Sequence, residues 1–263
     1  MNYLSRTQFV RIPNLPEHNV AAAVVSGVHN QEMATIRNNL REAGIYPIRT
    51  YVHKTIQPPV AAHADMLCHH FGKNTFLLAL ESNAISRLSH RLKQLGAQLL
   101  YTEKHLQAQY PADVGLNGAR VGNRLFGNIN ALDPVLLQIY RQNGIAIYHT
   151  QQGYAKCNTA VVDSNSVITE DPSVATACQT CGVQVLKIRP GYVRLPGYPY
   201  GFIGGACGLI GPKQLAFCGD IRRHPDYPAI HSFLQQRHID EICLADFSLL
   251  DIGGILPVLE YIP

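Results

Sequence analysis

The chain has no tryptophan among its 263 residues, and no apolar run approaches the roughly 20 residues that cross a bilayer. A spanning helix is not expected, and no membrane is expected as a partner. Charge is sparse. Asp, Glu, Lys and Arg make up 15% of the chain, and 22 Lys+Arg against 18 Asp+Glu leave a net +4. No block of like charge occurs, and a basic patch with interleaved aromatics is missing, so nucleic acid is not an expected partner. No Gly-Lys-Ser/Thr follows a glycine run, which excludes a P-loop, and no GxGxxG joins a strand to a helix. The 12 His show no metal-ligand spacing, and nothing completes a zinc site around Cys178-Gln179-Thr180-Cys181. No metal or organic cofactor is expected. The seven Cys are odd in number and irregular in spacing, unlike a disulfide framework. The first residues lack the apolar core of a signal peptide, so the reduced cytoplasm is the expected compartment.

What is present is a core and a repeat. About 46% of the chain is hydrophobic, enough for a buried core. A helix-ending pattern recurs at Gly44, Gly96, Gly144 and Gly182, and once more, without glycine, at His238. Each mark closes an amphipathic segment and is followed by strand-like residues: Ile45 to Ile48, Ala97 to Leu100, Ile145 to Tyr148, Val183 to Leu186 and Ile239 to Ile242. Glycine there supplies the left-handed residue that stops a helix. Asp133-Pro134 and Asp171-Pro172 pair an N-cap with proline at the first helical position. Ser82 or Asn83 is expected to cap the second helix, and His224-Pro225 or Asp226 to open the fifth.

Hairpins follow the first four post-helix strands: Met66–Phe71 with Thr75–Ala79, Gly118–Val121 with Arg124–Asn128, Thr159–Val162 with Ser166–Glu170, and Phe202–Ile210 with Leu215–Gly219. Their turns hold Gly, Asn, Asp, Lys and Pro. Each unit is helix, strand, strand, strand. The fifth ends after one strand, Gly254 to Ile262, and its partner is expected to be Val20 to Ser26 at the other end of the chain. The expectation is an α/β protein: a closed five-bladed propeller of one domain, residues 1–263. Its repeats run over about 27–80, 81–130, 131–171, 172–220 and 221–263 plus 19–26. The alternative is an open α/β sandwich, in its doubly wound form.

The hairpin mouths align Asp65, Asp113, Cys157, Gly201 and Asp251. In a ring these positions would face a shared centre, with three carboxylates and one thiol. Carboxylates accept paired N–H bonds from a planar guanidinium. A cysteine thiolate can attack the central carbon of such a cation. Lys156 or a bound cation would lower the thiol pKa, whereas the carboxylates alone would raise it. His63 is the nearest acid/base candidate, and Asn117, four residues after Asp113, could reach the same space. Singly, an Asp at a strand mouth is also a turn or capping residue. Cys178 and Cys181 precede a helix-ending glycine and read as helix packing. His69 and His70 point to opposite faces of a strand. Cys68 and Cys207 read as core, Cys207 being a rival nucleophile. Six glycines between Gly197 and Gly211 fit close backbone approach or an anion-binding nest.

Five such units with Asp, His-x-Asp and Cys at the hairpin mouths resemble the pentein, or guanidino-group-modifying enzyme, superfamily. Tyr110-Pro-Ala-Asp113, Gly153-Tyr-Ala-Lys-Cys157 and Tyr200-Gly-Phe-Ile-Gly-Gly205 look closer to an uncharacterised bacterial branch of it, which carries no assigned reaction. The resemblance implies that Asp113 and Asp65 hold a guanidinium, that His63 acts as base and that Cys157 is the nucleophile. The order differs from the enzymes, which place the cysteine directly after the His-x-Asp repeat. Here His63 lies two repeats before Cys157, and Asp113 stands in the repeat between them. The enzymes' Glu-Gly-Gly-Asp has only a distant echo in Gly204-Gly205-Ala206-Cys207-Gly208.

The expected function is a cysteine-dependent hydrolase or transferase of a small guanidino or amidine compound, with Cys157 and His63 catalytic and Asp65, Asp113, Asp251, Asn117 and Lys156 binding. A non-catalytic protein of the same fold, binding a small molecule or a protein, is the alternative. Nothing in the sequence bears on oligomeric state.

Overall fold

The structure is a computed structural model and describes residues 6–80 and 87–262. Ser82 and Asn83, the expected caps of the second helix, lie outside the described residues. The five helix ends form as the sequence predicts. Gly44, Gly96, Gly144 and Gly182 have φ between +66° and +90°, and His238 takes the same role at φ +55°. At each end one N–H reaches back to close the last turn: Ile45 to Leu40, Ala97 to Leu92, Ile145 to Tyr140, Val183 to Cys178 and Ile239 to Leu234, at 2.8–3.0 Å. Asp133 caps its helix through Val135 N–H, and Asp171 caps its own through Ser173 and Val174. Asp226 precedes the fifth long helix without capping it, because its carboxylate holds the backbone and side-chain N–H groups of Arg189.

These ends set the order of elements. Strands β1 (Thr7–Phe9) and β2 (Val20–Val25) are followed by α1 (Gln31–Glu42) and β3 (Tyr46–Arg49). A short helix α2 (Ala64–Leu67) leads into the hairpin β4 (Cys68–Gly72) and β5 (Thr75–Leu78), then α3 (Arg87–Gln94) and β6 (Gln98–Tyr101). The hairpin β7 (Ala119–Val121) and β8 (Arg124–Gly127) precedes α4 (Pro134–Gln142) and β9 (Ala146–His149). Then come β10 (Ala160–Asp163), β11 (Ser166–Thr169), α5 (Pro172–Thr180) and β12 (Gln184–Lys187). The last stretch holds β13 (Cys207–Gly211), β14 (Gln214–Phe217), α6 (Tyr227–Gln235), β15 (Asp240–Cys243) and β16 (Leu256–Tyr261).

Two of the expected strands start later than the sequence suggests. Met66 and Leu67 belong to α2, and Ile203–Ala206 forms a 3₁₀ turn before β13. In both places the chain curls inward, and Asp65 N–H is taken by Gly253 O rather than by a sheet neighbour.

The strands make five small sheets. In four of them an antiparallel hairpin with a two-residue turn is joined by the strand that follows the next helix, paired parallel: β4-β5-β6, β7-β8-β9, β10-β11-β12 and β13-β14-β15. Each post-helix strand thus joins the preceding hairpin, not the one that follows it. In the fifth sheet β16 pairs antiparallel with β2 and β2 parallel with β3, so the two ends of the chain share one sheet, as the sequence anticipates. β1 adds an outer strand on β16. Apolar clusters lie between the sheets and their helices, for example Met33, Ile36 and Leu40 of α1 against Val20, Ala23 and Val25 of β2. All seven cysteines are free thiols. No helix among the described residues is long and apolar enough to cross a membrane.

Candidate active site

The segments that precede the hairpins meet. Cys157 lies three residues before β10, and Asp65 three before β4. Their side chains touch, with the Cys157 thiol 2.9 Å from Asp65 Oδ2. From the second repeat comes Asn117, two residues before β7. Its Nδ2 lies 3.3 Å from Cys157 Sγ, and its Oδ1 accepts the N–H groups of Lys156 (2.8 Å) and Cys157 (3.1 Å). Asn117 thus fixes the loop that presents the thiol.

From the fifth repeat comes Asp251, which accepts from Phe202 N–H at 2.9 Å and from Gly253 N–H at 3.0 Å. Its Oδ1 faces His63 Nδ1 at 3.6 Å, an ion-pair distance too long for a hydrogen bond. The fourth repeat contributes backbone. A Cβ on Gly205 would stand 2.0 Å from Asp251 Oδ1, and one on Gly201 would stand 2.5 Å from Asp251 Cβ. Close approach therefore explains glycine at these two positions, and Gly205 N–H is spent on Cys157 O at 2.8 Å. Lys156 Nζ donates to Gly204 O at 3.2 Å.

Asp113 stands apart, held by the Tyr154 hydroxyl three residues before Cys157. It begins six residues before β7, twice the offset of Asp65 and Cys157 from their strands. That difference in register places Asn117, rather than Asp113, beside the sulfur.

Every member is buried, none more than 6% exposed. Among the described residues Asp65 Oδ1, His63 Nδ1 and Asp113 Oδ1 are buried without a hydrogen-bond partner. Burial pushes Asp65 up to about 6, and the neighbouring Asp251 adds to the rise, while His63 and Lys156 pull it down. Burial also raises the Cys157 thiol well above its ordinary range, and Asp65 and Asp251 raise it further. The thiol is thus neutral in the free protein and donates to Asp65. Asp113 and Tyr154 are both raised, chiefly by burial. One ligand atom each from His63, Asp65 and Cys157 lies within 4.8 Å of the others, a donor set that could also hold a divalent ion such as zinc.

The other sequence candidates fall into the core. His69 bonds Leu116 O and the Tyr140 hydroxyl, whereas His70 bonds Lys73 O and stacks on Phe76. Burial lowers them to about 3 and about 4. Cys68 and Cys207 are buried and pushed up to about 12. Cys178 packs inside α5 and Cys181 ends it. Sequence reasoning missed Tyr154 and Glu170. Glu170 is buried and accepts Ile203 N–H, but in the sequence it reads as the end of a strand beside a helix cap.

Residues 27–256 match the model of a family described as a family of unknown function, DUF6873. No protein of curated function matches the chain in sequence. Solved structures do match. The inosamine-phosphate amidinotransferase of Streptomyces griseus superposes with a TM-score of 0.59 at 11% identity, covering 95% of this chain and 97% of that one. An amidinotransferase of the saxitoxin biosynthetic pathway, from Microseira wollei, gives 0.53 at 10% identity, with 89% and 91% covered. An agmatine deiminase of C. jejuni gives 0.54 at 9% identity, with 91% of each chain covered. The shared feature is the fold, that of the pentein superfamily.

Proposed function

The chain belongs to DUF6873, a family of unknown function, and on that premise we propose that it is a cysteine-dependent hydrolase or transferase acting on a small guanidino or amidine compound. The whole chain would form one domain, its five sheets standing as the blades of a closed ring. Two observations support this. The chain ends pair in one sheet, and side chains from the first, second, third and fifth repeats converge, as they would around an axis. In such a ring the site would lie in a central channel.

The observation that carries the reading is the Cys157–Asp65 contact at 2.9 Å, beside buried polar atoms that have no partner of their own. A neutral thiol between two carboxylates is a poor nucleophile. A guanidinium bound between Asp65 and Asp251 supplies the missing N–H donors and reverses the local charge. The thiol pKa then falls, and its proton passes to His63. The Cys157 thiolate attacks the central carbon of the cation, and the amine leaves with a proton from His63. Water, or a second amine, then displaces the sulfur from the amidino adduct and restores the thiol. Lys156, whose charge lowers the Asp65 pKa, balances the carboxylates. Asp113 is held by the Tyr154 hydroxyl on the loop that carries Cys157.

The burial of the thiol favours a second reading, a non-catalytic small-molecule binder of the same fold. One experiment separates them. Cys157 is alkylated with iodoacetamide with and without guanidine, methylguanidine and arginine, and the protein's mass is followed during incubation with each. Protection by at least one compound, together with an amidino adduct that Cys157→Ser abolishes, is expected. Protection without an adduct would favour the binder, and no protection by any of them would overturn a guanidino site.

A further inference from the structure

Outside the cysteine site, one groove gathers charge that the sequence disperses. It has a cavity volume of about 420 Å³ and is lined by the loop after β2, by β3 with Thr50, and by α3. Arg49, Arg87 and Arg91 face it, with His29, His90 and Tyr46, and none of its lining residues is acidic. Arg87, His90 and Arg91 share one helical face by their spacing. Among the described residues no carboxylate pairs with the three arginines. Arg91 lies over the Tyr46 ring at 4.8 Å, and its Nη1 donates to Gln94, yet its Nε is buried without a partner. Tyr46 is 50% exposed, an open aromatic flank to the groove.

The floor is rigid. Gly27 N–H donates to Thr50 Oγ1 at 2.8 Å, and a Cβ on Gly27 would stand 2.0 Å from Thr50 O. Behind the loop, Arg37 donates to Ser26 O and Val28 O. Its pKa is lowered, first by burial and then by the positive charges of Arg49 and Arg41.

Three guanidinium groups with no counter-charge among the described residues repel one another, and an anion shared between them relieves that cost. Planar guanidinium forks match the oxygens of a phosphate. At about 420 Å³ the groove lies in the range of small-molecule sites, ~300–1,000 Å³. We propose that this groove binds the phosphate group of a small phosphorylated ligand, held by Arg49, Arg87 and Arg91 beside the exposed ring of Tyr46.

The test is calorimetric titration of the full chain at low salt with pyrophosphate, adenosine monophosphate, sulfate and a single-stranded oligonucleotide. Pyrophosphate and the nucleotide are expected to bind at millimolar concentration or below, and more tightly than sulfate. Arg49→Gln and Arg91→Gln should each weaken them about tenfold, with thermal melts confirming that the variants fold. Cys157→Ser should bind as the unaltered chain does, since the groove shares no residue with the thiol site. Absence of binding, binding unchanged in both arginine variants, or affinity for sulfate equal to that for pyrophosphate would overturn the proposal. So would affinity for the oligonucleotide that rises with its length and exceeds that for the nucleotide.

Discussion

Replacing Glu170 by glutamine should stabilise the protein at alkaline pH and flatten the dependence of its stability on pH. Glu170 is 6% exposed, and both its oxygens approach Ile203 N–H, at 3.1 and 3.3 Å. Burial pushes its pKa from 4.5 to about 8; Ile203 N–H opposes the rise and Asp251 adds to it. In the unfolded chain a glutamate titrates near ~4.3. Between about pH 4.5 and 8 the folded chain therefore keeps a proton that the unfolded chain has released. The unfolded state binds fewer protons there, so stability falls as pH rises through the window. At roughly 1.4 kcal/mol per unit the whole swing is at most about 5 kcal/mol, complete above pH 8. Asp65, raised to about 6, gives a smaller loss of the same sign between about pH 4 and 6.

Glutamine keeps an oxygen for Ile203 and carries no charge at any pH. Denaturant melts at pH 5 and pH 9 measure the effect. The variant should match the parent at pH 5 and exceed it by up to about 5 kcal/mol at pH 9. Equal pH slopes in the two proteins, or a variant less stable than the parent at pH 9, would refute the reasoning. The effect reaches the site, because Ile203 opens the 3₁₀ turn whose Gly204 O takes Lys156 and whose Gly205 N–H holds Cys157 O. Alkylation of Cys157 should therefore speed up above pH 8 more in the parent than in Glu170→Gln.

Asn117→Ala leaves the buried N–H groups of Lys156 and Cys157 without their shared acceptor and should cost about 2–4 kcal/mol in a chemical melt. Asn117→Asp keeps the acceptor but sets a further carboxylate beside the sulfur, so alkylation of Cys157 should slow while the melt shifts less than for Asn117→Ala. Gly205→Ala drives a methyl into Asp251 and should lose roughly 3 kcal/mol or more; an unchanged melt would contradict the packing. Added zinc should protect Cys157 from alkylation through His63 and Asp65. EDTA should reverse that protection, and His63→Ala should remove it.

Much of the fold is readable from local chemistry. The left-handed position after a helix needs glycine or an unusual residue, so Gly44, Gly96, Gly144 and Gly182 mark their helix ends directly. His238 is recovered because its neighbours repeat the pattern. Hairpin turns are equally local. Sheet membership is not: β6, β9, β12 and β15 each join the hairpin that precedes their helix, and β3 joins β2, a choice made by the crossover and not by residues at the turn. The site shows the same divide. Asp65 and Cys157 share an offset from their strands, and the sequence aligns them correctly. Asp113 shares the motif and not the offset, because the stretch between it and β7 is longer, so the residue beside the sulfur is Asn117, which the sequence admitted only as able to reach the same space. The arginine groove is invisible to a scan for charge runs, since positions 49, 87 and 91 meet only when β3 and α3 pack together.

The same packing bears on why a reactive thiol would be kept among carboxylates. Alone, the arrangement is self-defeating: burial and two acidic neighbours hold Cys157 protonated. Yet Asp65 is poised at about 6, so its charge is only partly secured even at neutral pH. A cation entering the site stabilises both carboxylates and the thiolate at once, whereas a neutral or anionic molecule stabilises neither. Selectivity for a cation and activation of the nucleophile would then be one electrostatic event. It follows that Asp65→Asn should label faster with iodoacetamide than the parent when no ligand is present, because a raising charge is gone, and should lose the protection that guanidines confer. A variant that labels more slowly, yet remains protected, would show that Asp65 neither restrains the thiol nor holds the cation.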